Sequence, residues 1–199
     1  TIDAKMFSLS LAKSLKKSNK FVIIRLVSWK ASHDIGHKGF SLDYLERLIE
    51  LVENHAKVFI SVEGDIPEKL EKYKLSIDPT EIHNILYYAE LFIGEGATMA
   101  SECAVLGTPS IYVNSLSAGS LESQSKENLI YLFNSTDGVL EKAGEILRDD
   151  YYKVKQRKIK EKALKQKVDV NKLIEWFILN YPKSSQDLKK NPSLQFKVI

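Results

Sequence analysis

The sequence predicts an α/β fold, a Rossmann-like doubly wound parallel sheet with helices on both faces. Short apolar runs alternate with amphipathic segments through residues 21–150, which is the pattern of parallel strands joined by crossover helices. The runs at Phe21–Val27 and Lys57–Val62 have the length and β-branched content of buried parallel strands. A glycine turn joins a further run, Leu91–Ile93, directly to a predicted helix at Ala97–Leu106. Strand, turn and helix in this order are typical of nucleotide-binding α/β domains.

The other elements continue the alternation of strands and helices. Ser41 is placed to cap a helix with an apolar face, and Gly107 and Pro109 are placed to end the helix at Ala97–Leu106. Further strands are predicted at Leu75–Ile77, Ile111–Val113 and Leu129–Phe133, and further helices after Asp78, from Thr136 to Leu147, and at 151–166 and 171–181. The segment 115–120 is predicted to be a flexible loop.

The chain divides into four predicted parts: a linker or interdomain segment at 1–20, a Rossmann-like domain at 21–150, C-terminal helices at 151–183 and a tail at 184–199. The chain has 199 residues, 44% of them hydrophobic, which is enough for a substantial core. The net charge of +3 gives no case for a nucleic-acid partner. The single cysteine, Cys103, excludes an internal disulfide and favours a cytoplasmic location.

The turn between the run at 91–93 and its helix is the first candidate site. Gly94 and Gly96 flank Glu95, so we expect a sharp turn that uses positive φ. Glu95 either contacts a sugar hydroxyl or caps the turn. A helix that starts directly after a strand points its free N–H groups into the crevice beyond the strand, and such groups bind phosphate.

The first turns of the helix carry two further candidates, Thr98 and Glu102. Thr98, with the N–H groups of Gly96 and Ala97, can hold a diphosphate. Glu102 lies one helical turn later on the same side and can accept hydrogen bonds from the two hydroxyls of a ribose. The stretch therefore suits a nucleoside diphosphate. The alternative is an ordinary strand-to-helix connection with a solvated Glu102.

The stretch 94–109 resembles the donor-site signature of GT-B glycosyltransferases. It reads Gly-Glu-Gly-Ala-Thr-Met-Ala-Ser-Glu, and ends in Ala-Val-Leu-Gly-Thr-Pro. It is similar to UDP-N-acetylglucosamine 2-epimerase and to an uncharacterised family of predicted glycosyltransferases of bacteria and archaea. The epimerase has Asp-Ser-Gly-Gly where this chain has Glu-Gly-Ala-Thr at 95–98, so the two turns are similar in size and not identical in sequence. The residue aligned with Glu102 contacts the nucleotide ribose in the epimerase.

This resemblance implies one half of a two-domain GT-B enzyme, the C-terminal domain that binds the donor. The implied substrate is a nucleotide-diphosphate sugar, with a UDP-sugar favoured, and the implied partner is an acceptor-binding domain before Thr1. No cofactor is implied. Two alternatives stay open: a sugar epimerase domain related to UDP-N-acetylglucosamine 2-epimerase, and a non-catalytic nucleotide-binding or scaffold domain.

Polar residues outside the glycine turn complete the candidate site. Ser28, His33 and Asp34 lie in a loop after the first strand, at the edge where α/β folds bind ligands. His33 can act as a base with Asp34 as its neighbour, or the loop can be held by local hydrogen bonds only. His83, in the helix before Leu91, can lie beside the nucleotide base or on an ordinary helix surface. The spacing of the four histidines predicts no metal site.

A cluster of cations at 153–167 is the last feature of the sequence. It contains Lys153, Lys155, Arg157, Lys158, Lys160, Lys162, Lys165 and Lys167. Most such clusters are solvated helix faces. The sharper interpretation is a surface for anionic lipid, at the inner face of the membrane, or for a charged glycan acceptor. The sequence does not indicate an oligomeric state.

Overall fold

The computed structural model describes residues 20–27, 40–62, 64–116 and 119–197. The chain forms two compact units, Thr1–Lys160 and Glu161–Ile199. The predicted linker at 1–20 lies outside the described residues, except for Lys20 at its end. The division into four parts stays a prediction.

The first unit contains a five-stranded sheet whose strands are all parallel. The strands pair in the order β2-β1-β3-β4-β5. Their bounds are β1 Phe21–Leu26, β2 Lys57–Val62, β3 Leu91–Gly94, β4 Ser110–Val113 and β5 Tyr131–Phe133. The predicted α/β class and the parallel strands are confirmed.

Helices connect the strands and follow the last of them. They are α1 Leu42–Glu53, α2 Ile82–Tyr88, α3 Ala97–Leu106, α4 Gly119–Lys126, α5 Val139–Arg148 and α6 Tyr152–Leu164. The hydroxyl of Ser41 accepts from Tyr44 N, as its place before α1 predicted. Short 3₁₀ helices lie at Glu68–Tyr73 and Pro79–Glu81. The helix α3 has the predicted bounds, and Gly107 ends it in the left-handed conformation with φ +79°.

Both faces of the sheet are covered, as in a doubly wound fold. On one face, strand residues such as Ile24, Ile60 and Ile93 form a buried cluster with α1 and α5. Alternation along the strands turns Ile23 and Phe92 to the opposite face, where they are fully buried. Helix α3 contacts β4, α2 and α4. Helices therefore cover the sheet on both sides.

Two local predictions are wrong. Residues 75–77 form no strand: an isolated bridge joins Ile60 of β2 to Lys74, just before this segment, and Leu75 N donates to Ile60 O at 2.8 Å, with no ladder beyond it. A 3₁₀ helix directly before it and the turn at Asp78 after it leave no length for a ladder. The part of the predicted loop 115–120 that begins at Gly119 opens helix α4. The buried side chain of Leu121 holds this polar helix against the domain, a tertiary effect that local composition does not reveal.

The second unit is helical in its described part. After the end of α6 it contains α7 Val170–Leu179, α8 Lys183–Lys190 and a 3₁₀ turn at Pro192–Phe196. Asp169 caps α7 by accepting from Lys172 N. The buried hydroxyl of Ser184 donates to Phe177 O at 2.7 Å. The predicted tail at 184–199 is thus largely helical. None of the helices in the described ranges is long and apolar enough to cross a bilayer.

Candidate functional site

The strand order places a topological switch between β1 and β3. The chain passes from β1 outward to β2 and then returns to β3 on the other side of β1. Crossovers on either side of this point leave a crevice beyond the carboxyl ends of the two strands, where open α/β sheets bind ligands. The glycine turn of the sequence follows β3 at this point, because β3 ends at Gly94.

Neither glycine of the turn has the predicted role of supplying a positive φ. A Cβ on Gly94 would lie 2.7 Å from Arg25 Cβ and 2.8 Å from Phe92 Cζ, so this position must be glycine for close packing against β1. Gly96 has φ −87° and ψ 113°, an extended conformation open to any residue. The prediction that the turn uses positive φ is wrong, because the strand passes into the helix through extended backbone.

Glu95 is buried between these glycines, with 4% of its surface exposed. One carboxylate oxygen accepts from Phe40 N at 2.6 Å, and the other accepts from Val27 N at 3.1 Å. Asn114 Nδ2 donates to its main-chain oxygen at 3.2 Å. A buried carboxylate requires such donors. Glu95 therefore joins the end of β1 to the residues before α1, and its role in binding sugar stays a prediction.

The amino end of α3 is open in the sense that no side chain of the described residues caps it. The helix begins at Ala97, and its N-cap is Gly96, which has no side-chain oxygen to accept from the first N–H groups. Gly96 and Ala97 are half-buried, and Thr98 is exposed. The amino end of a helix carries a partial positive charge. The role of these residues in binding phosphate stays a prediction.

His83 and Glu102 meet beside this helix end. Their Nε2 and Oε2 atoms are 3.3 Å apart, and their side chains are 40% and 36% exposed. Helix α2 leads into β3 and is antiparallel to it. The amino end of α2, which carries His83, therefore lies on the side of the sheet where the strands end. The hydroxyl of Thr108 donates to Leu86 O at 2.7 Å and fixes α2 against the end of α3. The two residues were singled out separately in the sequence, and the structure brings them together.

Three predicted site residues, Ser28, His33 and Asp34, lie outside the described residues. One residue that sequence reasoning passed over is Arg25, near the end of β1. Its Nη1 donates to Ser61 Oγ at 2.8 Å, and its Cβ packs against Gly94. The available signal was a charged residue inside an otherwise apolar strand. It places a cation at the carboxyl edge of the sheet.

The opposite edge of the sheet is occupied by α6. Lys153 Nζ donates to Tyr88 O at 2.8 Å and lies 3.8 Å from Glu90 Oε1. Burial lowers the pKa of Lys153 to about 8, and Glu90 partly opposes this shift. Arg157 lies over the ring of Tyr87, 4.4 Å from its centroid, and its Nη2 donates to Tyr87 O at 3.3 Å. These cations cap the carboxyl end of α2, far along that helix from His83.

Two solved structures illustrate the similarity in fold. The chain matches a putative UDP-N-acetylglucosamine 2-epimerase from Listeria monocytogenes with a TM-score of 0.53 and 12% identity, covering 78% of this chain and 46% of that one. It matches the wall teichoic acid polymerase TagF, soaked with CDPG, with a TM-score of 0.51 and 10% identity, covering 80% and 40%.

These matches establish the fold. They show a Rossmann-like domain of the GT-B type, and this chain spans less than half the length of either structure. Curated proteins give no match. A family model described as a protein of unknown function, DUF354, matches residues 5–182. Since the match covers most of the chain, the protein belongs to the DUF354 family.

Proposed function

We propose that this chain is the donor-binding half of a glycosyltransferase and that its substrate is a nucleotide-diphosphate sugar, a UDP-sugar in particular. The observation that carries the proposal is the pair His83–Glu102 beside the open amino end of α3, at the switch point of the sheet. A helix amino end favours phosphate, and an accessible carboxylate one turn away favours the hydroxyls of a ribose.

We assign a part of the nucleotide to each group. The phosphates lie on the N–H groups of Ala97 and Thr98, with the Thr98 hydroxyl as an added donor. Nε2 of His83 lies 3.3 Å from Oε2 of Glu102, and we assign to His83 the role of positioning this carboxylate. The other oxygen of Glu102 then accepts from the ribose, and the ring of His83 stands beside the base.

The transfer reaction needs groups beyond this site. We assign the role of catalytic general base to His33, with Asp34 as its neighbour. We assign the second wall of the cleft to an acceptor-binding domain. Both assignments follow the resemblance. The second domain is also supported by the coverage, since the chain spans only 46% and 40% of the two neighbours. A cytoplasmic location belongs to the same proposal. Sugar transfer by the 199-residue chain alone, at rates normal for enzymes, would contradict the need for a second domain.

Titration calorimetry of the 199-residue chain with UDP and with UDP-sugars tests the binding site. A hydrogen bond to a charged group contributes ~1.5–3 kcal/mol, so Glu102→Ala is expected to weaken binding by roughly tenfold or more. Glu102→Gln keeps one acceptor and is expected to weaken binding less. Glu50→Ala is the matched control, since Glu50 is an exposed glutamate of α1, which covers the other face of the sheet.

A second variant tests the phosphate position without disturbing the fold. A Cβ on Gly96 would meet Val27 Cγ1 at 3.6 Å and Arg25 Cγ at 3.7 Å, which are ordinary contacts. Gly96→Val is therefore expected to fold, while its side chain obstructs the approach of a phosphate to α3. Wild-type UDP affinity in both Glu102→Ala and Gly96→Val would remove this stretch from the site. Epimerisation of UDP-N-acetylglucosamine by the complete enzyme, without transfer, would favour the epimerase alternative.

A further inference from the structure

Arg25 differs from its neighbours in strand β1, because every other residue of this strand is apolar. Ile23 and Ile24, directly before it, expose none of their surface, whereas Arg25 is partly exposed. A charge next to a hydrophobic core has to be hydrated or matched by polar groups. An apolar residue would continue the strand without this cost, so the strand itself does not explain the cation.

The pleat of β1 places Arg25 on the same face of the sheet as α3. Ile24 belongs to the buried cluster formed with α1 and α5, and side chains alternate along a strand, so Arg25 projects to the opposite face. In the register of the sheet, Arg25 pairs with Gly94 of β3 on one side and with Ser61 of β2 on the other. Strands β1 and β3 flank the topological switch. Arg25 therefore lies at the switch point, on the face that also carries α2 and α3.

The side chain of Arg25 passes close to the glycine turn. Its Cβ lies 2.7 Å from the position that a Cβ on Gly94 would take, and its Cγ lies 3.7 Å from the equivalent position at Gly96. Its Nη1 donates to Ser61 Oγ at 2.8 Å. Since Gly96 is the N-cap of α3, the stem of Arg25 lies beside the amino end of this helix.

The structural contacts of Arg25 do not require its charge. Packing against Gly94 uses the aliphatic stem, and a neutral amide could donate to the hydroxyl of Ser61 in place of the guanidinium. The charge adds an attraction for anions at the place where the amino end of α3 supplies the same attraction. A guanidinium also presents a planar fork of donors that matches the oxygens of a phosphate group.

We propose that Arg25 binds the diphosphate of the donor, together with the amino end of α3. This inference rests on the proposed function and adds a residue that determines specificity for phosphorylated ligands. Arg25 contributes to the affinity for a nucleoside diphosphate and contributes nothing to the affinity for the nucleoside alone. A residue that only holds β1 against β2 would affect both ligands alike.

Titration calorimetry of the 199-residue chain with UDP and with uridine tests this assignment. Arg25→Gln removes the charge and keeps a donor for Ser61. It is expected to weaken UDP binding roughly tenfold or more, because a hydrogen bond to a charged group is lost, and to change uridine binding less than about twofold. Arg25→Met, which keeps a flexible stem beside Gly94, is a second neutral variant with the same expectation. Urea unfolding shows that each variant is folded.

The matched control is Ser61→Ala, which removes the hydroxyl held by Arg25 and keeps the cation. It is expected to bind UDP within about twofold of wild type. Equal losses in Ser61→Ala and Arg25→Gln overturn the assignment, as do equal losses for UDP and uridine. Wild-type UDP affinity in a folded neutral variant overturns the assignment of Arg25 alone. Failure of the wild-type chain to bind UDP overturns the proposed function, and this inference with it.

Discussion

Charged side chains are buried where the parallel strands begin and exposed where they end. We call these two sides of the sheet the amino edge and the carboxyl edge. At the amino edge, Lys153 is largely buried and donates to Tyr88 O, and Arg157 covers the ring of Tyr87. At the carboxyl edge, His83 and Glu102 stay more than a third exposed beside an open helix end. Helix α2 runs from one edge to the other. Its carboxyl end is therefore capped by Lys153 and Arg157, whereas His83 at its amino end remains accessible to a ligand.

This difference separates groups that stabilise the fold from groups that can bind. A buried charge has to be matched within the protein, because an unmatched one is costly. An exposed pair such as His83–Glu102 can exchange its partner for a ligand at little cost. Glu95 shows that the rule follows burial and not the edge. It lies at the carboxyl edge, yet its carboxylate is buried on two N–H groups.

The largest expected effect concerns Glu95. Glu95→Ala leaves the N–H groups of Val27 and Phe40 without their acceptor, and each hydrogen bond to a charged group is worth ~1.5–3 kcal/mol. We expect the free energy of unfolding in urea to fall by roughly 3 kcal/mol or more. Glu95→Gln keeps one acceptor and should lose about half as much. Glu102→Ala, measured in the same way, is the comparison. If the free energy of unfolding falls less in Glu95→Ala than in Glu102→Ala, the buried carboxylate does not hold the carboxyl edge together.

The next effect concerns Lys153 and pH. Its pKa of about 8 in the folded chain lies below its ordinary value of 10.5. Between these values the unfolded chain binds a proton that the folded chain does not, so stability rises with pH. Between pH 8 and 10 the free energy of unfolding should rise by up to about 3 kcal/mol, at 1.36 kcal/mol per pH unit. Lys153→Met should remove this slope.

The measurement requires a Cys103→Ala background. Burial raises the pKa of the Cys103 thiol, so in this pH range the unfolded chain loses a proton that the folded chain keeps, which lowers stability as pH rises. Burial also raises the pKa of Tyr44 to about 12 and raises the pKa of Tyr152, and their effect sets in near the ordinary tyrosine pKa of 10.0. Both tyrosines are present with and without Lys153→Met, so their contribution cancels when the two curves are compared. The free energy of unfolding is then plotted against pH for Cys103→Ala and for Cys103→Ala with Lys153→Met. If the two curves run parallel, Lys153 does not titrate as a buried group.

The smallest expected effect tests whether the two edges are independent. Lys158→Glu with Lys162→Glu changes the charge of α6, whose Lys153 and Arg157 contact the carboxyl end of α2, and should alter UDP affinity by less than about twofold, since exposed charges outside a site are screened by salt. Calorimetry with UDP measures this directly. Loss of UDP binding in a folded variant would place α6 at the nucleotide site.

The sequence alone determined the elements whose signals are local. The periodicity of apolar residues was sufficient for β2 at Lys57–Val62 and for the α/β class, and a glycine stop was sufficient for the end of α3. Local signals failed at 75–77, where an apolar run lacks a ladder partner, and at α4, where a polar helix is held by Leu121.

The tertiary structure decided which polar residues are matched and which are available. Glu95 meets Val27 and Phe40 across 68 and 55 residues of chain, and Glu102 meets His83 from another helix. The sequence marked both glutamates as candidates, because their spacing from the glycine turn is local information. Burial depends on how strands and helices pack from distant parts of the chain, so only the folded domain separates the carboxylate that holds the turn from the carboxylate that faces the crevice.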